Sequence, residues 1–230
     1  MSGPELIIFD CDGVIIDSEI ISAQQLIDAL APMGIDIDLD FVARNFLGRS
    51  YPMVMEEIRR AFGVNLPPSF EDEYRARLLA AFERDLKIIP HVAEVIESLD
   101  RPFCLATSSS PARAARSLEI VGMAQAFSKK VYTASLVAKG KPAPDLFLHV
   151  AAEFGVEPAH CLVIEDSLNG VRAAKSAGMP VWRFIGGSHL QGRALEGPEG
   201  ATAELTFASF TEFAKHAPWF TPKGKAAQNE

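Results

Sequence analysis

The chain is poor in the features that mark secreted, membrane-spanning or nucleic-acid-binding proteins. It has three cysteines in 230 residues, Cys11, Cys104 and Cys161, far apart and each in or beside an apolar run. No C-x-x-C or comparable metal spacing occurs, and an odd number of buried-looking thiols suits a reducing cytosol. A cytoplasmic location is therefore expected. No apolar run is long enough to span a bilayer. Met1-Ser2-Gly3-Pro4-Glu5 has no basic region and no cleavage pattern, so no signal peptide is expected. Basic residues are in deficit: 22 Lys and Arg against 30 Asp and Glu give a formal net charge of −8. Nucleic acid and anionic membrane are accordingly disfavoured as main partners, and none is expected. An anionic small substrate stays compatible, because one local cation inverts the field of one pocket. Internal repeats and low-complexity tracts are missing too.

What is present suffices for a packed core. Apolar residues make up 48% of the chain, which excludes disorder for most of its length. The length fits one large domain or a domain carrying a smaller one. Five apolar runs predict buried strands, at Leu6–Phe9, Phe103–Thr107, Lys130–Tyr132, Cys161–Glu165 and Val181–Phe184, with a weaker sixth at Leu205–Phe207. From the second strand onward, helices with clear starts and stops separate them. Ser110 can cap one that has Pro111 in its first turn; Pro144 to Phe154 ends at Gly155, and Ser167 to Ala177 ends at Gly178. Alternating strands and helices imply an α/β fold, a Rossmann-like parallel sheet with helices on both faces.

Between about Asp17 and Asp85 strand signals stop. Helices fit instead over Ser18–Met33, Leu39–Phe46, Tyr51–Phe62 and Phe70–Leu86, the last with Ser69 as cap and Asp72 as its capping-box partner. The expected division is a core of residues 1–15 and 87–220, an inserted all-helical cap of 16–86, and a polar tail of 221–230. Both ends of the insert must leave the carboxyl edge of the first strand, which puts it over the crevice where such sheets bind ligands.

Four polar clusters sit at the strand ends. The first strand ends in Asp10-Cys11-Asp12-Gly13 and the second in Thr107-Ser108-Ser109; Lys141 follows the third, and the fourth ends in Glu165-Asp166. An extended backbone would send Asp10 and Asp12 to one side and Cys11, a small buried apolar residue, to the other. Several carboxylates in one crevice repel each other, and a hard divalent cation removes that penalty. Oxygen-only ligands and a phosphate point to magnesium. A carboxylate can attack phosphorus while a cation and a lysine screen the transferring oxygens. A second acid two residues on can exchange the proton of the leaving oxygen.

Phe9-Asp10-Cys11-Asp12-Gly13-Val14, Thr107-Ser108, Lys141-Pro142 and Glu165-Asp166-Ser167 resemble, in this order, the four motifs of the haloacid dehalogenase-like superfamily. The helical insert resembles its alpha-helical cap subclass, which holds beta-phosphoglucomutase and many sugar-phosphate phosphatases. The resemblance implies Asp10 as nucleophile and magnesium ligand. It implies Asp12 as general acid/base, with its backbone carbonyl on the metal. Thr107, the Ser108 backbone and Lys141 would bind phosphate, Asp166 would ligate magnesium, and Glu165 would be a further ligand or hold metal-bound water.

The departures narrow the reaction. Asp12 argues for phosphate chemistry over dehalogenation. Ser22 stands where the mutases of this group carry a cap histidine, and Leu47-Gly48-Arg49-Ser50-Tyr51 displaces their cap arginine and loses the lysine beside it. Phosphonatases need a cap lysine, which the first cap helix lacks. The expected enzyme is a phosphatase of a small sugar or sugar-acid phosphate. The stretch Phe103–Ser110 resembles phosphatases of 6-phosphogluconate. A sugar phosphomutase and a non-catalytic phosphate-sensing module are the alternatives. Arg49 and Glu19 are the cap residues expected to meet substrate, and His91 is expected to start a helix. The chain is expected to be a monomer, with a dimer as the alternative.

Overall fold

The computed structural model of the chain describes residues 3–192 and 201–221. Leu6-Ile7-Ile8-Phe9 forms β1 (Leu6–Phe9), the strand around which the sheet is built. Its side chains alternate: Ile7 and Phe9 enter one apolar cluster, Leu6 and Ile8 the other. The remaining strands are β2 (Phe103–Thr107), β3 (Val131–Thr133), β4 (Cys161–Glu165), β5 (Val181–Phe184) and β6 (Leu205–Phe207). Their spatial order is β3-β2-β1-β4-β5-β6, and every pair is parallel. The chain leaves β1 to one side and returns to its other side at β4. That reversal places the binding crevice at the carboxyl end of β1.

Helices α1 (Glu19–Leu30), α2 (Leu39–Asn45), α3 (Tyr51–Phe62) and α4 (Phe70–Asp85) follow β1 as the sequence predicts. Their apolar stripes recur at helical spacing: Leu26 and Leu30 on α1 and Tyr74, Leu78 and Phe82 on α4 are buried in one cluster with Ile58 of α3. The chain enters and leaves this bundle side by side. Asp17 N–H donates to Lys87 O at 2.9 Å and Ile89 N–H to Ile15 O at 2.9 Å.

The later helices are α5 (Val92–Ser98), α6 (Pro111–Ile120), α7 (Asp145–Phe154), α8 (Leu168–Ser176) and α9 (Phe213–His216). Ser110 caps α6 through Arg113 N–H, and Ser167 caps α8 through Gly170 N–H. His91 starts α5 with φ at 65°, a left-handed conformation that favours glycine.

Some expectations need correction. The third strand lies one residue further on, because Lys130 carbonyl already accepts the Leu105 N–H as the edge strand begins. The capping box at Ser69 does not form: Ser69 has helical backbone angles and makes no cap bond. The first cap helix ends at Leu30 and turns through a tighter 3₁₀ segment, Ala31–Met33, before Gly34. The expected tail falls, from 222 onward, outside the described residues. Among the described residues no helix is long and apolar enough to cross a membrane.

Candidate active site

Lys141 is the centre of the arrangement. It is 1% exposed, and its Nζ donates to Asp10 Oδ1 at 2.7 Å, Glu165 Oε1 at 2.8 Å and Ala106 O at 2.9 Å. All three ammonium protons therefore have acceptors. Burial alone would depress its pKa; the Asp10 and Glu165 carboxylates overcome that and raise it. The other oxygen of Glu165 accepts from Ser167 N–H at 2.8 Å and Ser167 Oγ at 3.0 Å. Three strand ends and the first turn of α8 are thus tied together by one lysine and one glutamate.

Asp10, Glu165 and Asp166 each offer an oxygen within 4.8 Å of the others, and all three are buried. Burial, and after it the neighbouring Glu165 carboxylate, push Asp166 well above the usual carboxylate range. The Asp10 carboxyl is also held high, by burial first, despite Lys141. Asp166 Oδ2 lies 2.8 Å from His189 Nε2, an ion pair when that imidazole is protonated. Crowded, desolvated carboxylate oxygens are what a hard cation needs, so this donor set fits magnesium.

Asp12 faces the same crevice but has different company. Ser18 Oγ donates to its Oδ1 at 2.5 Å, Ser109 Oγ to its Oδ2 at 2.6 Å, and Arg113 Nη2 to its Oδ1 at 2.7 Å. Burial opposes ionisation of Asp12, but Arg113 and the two hydroxyls outweigh it and lower its pKa. Arg113 also donates to Ser22 Oγ at 3.1 Å and lies 5.2 Å above the Phe82 ring. Residues of the sheet end, α6, α1 and α4 therefore meet at one carboxylate. Gly13 turns the chain here at φ 77°, and a Cβ on it would strike Asp166.

The cavity over these groups is lined by Asp10, Asp12, Thr107, Ser108 and Lys141 below and by Glu19 and Arg49 of the helical insert above. The loop before α3 closes down on the sheet end: Ser108 Oγ donates to Gly48 O at 3.2 Å and Asn169 Nδ2 to Leu47 O at 2.9 Å. Gly48, at φ 72°, is required there, since a Cβ would collide with Ser167. Every site residue read from the sequence therefore borders the cavity or the carboxylate cluster. Arg113 and Ser18 were not singled out as members of the site, and Ser109 and Ser167 stood in its motifs without a role of their own. Arg113 had a signal: Ser110-Pro111-x-Arg113 puts it in the first helical turn at the crevice.

Comparison with known proteins agrees with this geometry. The haloacid dehalogenase-like hydrolase family matches residues 4–178. The chain belongs to that family of hydrolases. Among its relatives, the 6-phosphogluconate phosphatase of Escherichia coli (strain K12) is 27% identical over 190 residues, covering 82% of this chain and 86% of the relative. A probable pseudouridine-5'-phosphatase of Drosophila melanogaster is 35% identical over 188 residues, covering 76% of this chain and 78% of the relative. A HAD family hydrolase from Deinococcus radiodurans R1, solved with bound phosphate and sodium, superimposes with a TM-score of 0.74 at 30% identity, covering 96% of this chain and 100% of that one.

Proposed function

We propose that the chain is a magnesium-dependent phosphatase of a small phosphorylated metabolite of the sugar-phosphate kind, acting through an aspartyl phosphate on Asp10. Sugar acids such as 6-phosphogluconate form one candidate group. The observation that carries the reading is the buried bond from Lys141 to both Asp10 and Glu165. A lysine held there leaves one face of the Asp10 carboxylate toward the cavity while screening charge on an incoming phosphate.

In this reading residues 1–15 and 87–220 supply the chemistry and residues 16–86 form the cap. An Asp10 oxygen attacks phosphorus and the ester P–O bond breaks. Asp12 gives a proton to the departing oxygen, then takes one from the water that splits the acyl phosphate and restores Asp10. Arg113 and the two serine hydroxyls favour the ionised form of Asp12, which serves the second step. A phosphate dianion beside it raises its proton affinity for the first. Thr107, the Ser108 backbone and Lys141 hold the phosphate oxygens. Asp10 and Asp166, with Glu165 and the Asp12 carbonyl, would hold magnesium, which when bound neutralises charge on those oxygens. Arg113, Ser18 and Ser109 position Asp12. The three free, buried cysteines support a cytoplasmic location.

The test is phosphate release from a panel of phosphorylated sugars, sugar acids and nucleotides, with and without magnesium. Release should need the metal and vanish in Asp10→Asn. Undiminished release by that variant would overturn the reading.

A further inference from the structure

The cavity above Asp10 has a volume of about 170 Å³. Its floor is polar, but its far wall, supplied by the helical insert, is apolar: Leu26 on α1, Val42 on α2, Phe46 beyond it, Val54 and Met55 on α3 and Leu78 on α4. Ser22 and Tyr74, two polar groups bordering that wall, already have partners inside the protein. Ser22 Oγ donates to Ser18 O at 2.9 Å and accepts from Arg113. The Tyr74 hydroxyl donates to Ser22 O at 3.4 Å. Among the described residues lining the cavity the cations are Lys141, Arg49, Arg75 and Arg113, and each faces an acid: Asp10, Glu57, Glu71 and Asp12 respectively. Glu19, an acid, adds no cation to this lining. The Tyr51 hydroxyl makes no hydrogen bond, which leaves one donor in this wall for a single polar group of a ligand.

Two kinds of leaving group are poorly served by such a wall. An open-chain polyol carries a hydroxyl on nearly every carbon, and each one buried without a partner costs about 1–3 kcal/mol. A carboxylate would meet only cations that already face an acid. An uncharged ring suffers neither penalty and gains by covering the apolar side chains.

We infer that this cavity selects a phosphomonoester whose leaving group is uncharged and turns a ring face toward the cap wall, a pyrimidine nucleoside being the sugar-containing example. The inference rests on the phosphatase reading and narrows it. The phosphate end is fixed by Asp10 and Lys141, so the ester oxygen and its substituent must extend into the apolar part.

The experiment uses the full chain with magnesium and compares benzyl phosphate and uridine 5′-monophosphate with 6-phosphogluconate and sorbitol 6-phosphate. All release a primary alcohol, so leaving-group reactivity does not bias the comparison. The better ring ester should exceed the better open-chain ester in kcat/KM by about tenfold or more. Met55→Gln should lower the ring-ester value about threefold to tenfold. Val54→Thr, close in volume, repeats that test should Met55→Gln fail to fold. Comparable or faster turnover of the open-chain esters overturns the inference and leaves the phosphatase reading standing. Release from none of the esters overturns both.

Discussion

The two ends of the cavity are built differently. At the sheet end Lys141 and Asp12 are each held by short bonds from several elements, as Lys141 is by Asp10, Glu165 and the Ala106 carbonyl. At the helical end the lining is apolar, and the charges run along the outside of their own helices, as Arg75 to Glu71 and Arg60 to Glu57. Bond-making tolerates little displacement of the reacting groups, so its charges are over-determined by their surroundings. Recognition by an apolar wall depends on shape and tolerates exchange of one side chain for another. Damage to the sheet end should therefore cost both activity and stability. Damage to the charges of the helical end should cost little of either.

Lys141→Met is the harshest test of that difference. It removes the cation shared by two buried carboxylates and leaves both without a counter-charge. Phosphate release should be lost, and urea unfolding should show destabilisation of about 3–5 kcal/mol. Stability within about 0.5 kcal/mol of the parent would mean that the carboxylates find another partner. The sheet end would then not be the rigid half of the molecule.

The sheet end was also the more legible in sequence. Runs such as Leu6–Phe9, and β4 up to Ile164, are apolar throughout, because a parallel sheet covered on both faces buries every residue. Their abrupt finish on Asp10, Asp12, Glu165 and Asp166 then marks the crevice. The edge strand β3 was displaced by one residue because only one neighbour fixes its register. The short helix α9 was not read at all, having too few residues for a periodic signal. Ser69 looked like a cap by residue type, yet its backbone stays helical, a choice made by the chain around it. Arg113 was overlooked for a different reason. Its partner Asp12 lies 101 positions away, and no local pattern reports such a pair.

Arg113→Gln separates positioning from folding. The guanidinium holds Asp12 and reaches Ser22 of the helical insert, and its side chain is 25% exposed, so the fold should survive. Turnover of alkyl phosphate esters should fall about 10–100-fold, the scale of impaired proton transfer. p-Nitrophenyl phosphate, whose leaving group departs without a proton, should fall much less. Equal losses on both would show Arg113 acting on the phosphate or on the fold as a whole. Lys at this position should restore part of the alkyl-ester rate, because it can still donate to Asp12.

Arg49→Ala should have the smallest effect. Arg49 borders the cavity and is the cap cation nearest in kind to a substrate clamp. Yet its Nη1 stands 3.8 Å from Glu57 Oε2, and its side chain is 32% exposed. A pair that long and that wet contributes at most about 0.5 kcal/mol, so thermal stability should barely move. If the wall recognises an uncharged ring, kcat/KM for benzyl phosphate should change by less than about threefold. A large loss confined to 6-phosphogluconate would make Arg49 a carboxylate clamp that leaves Glu57 on binding. The helical end would then also recognise by charge, and the contrast between the two ends would dissolve.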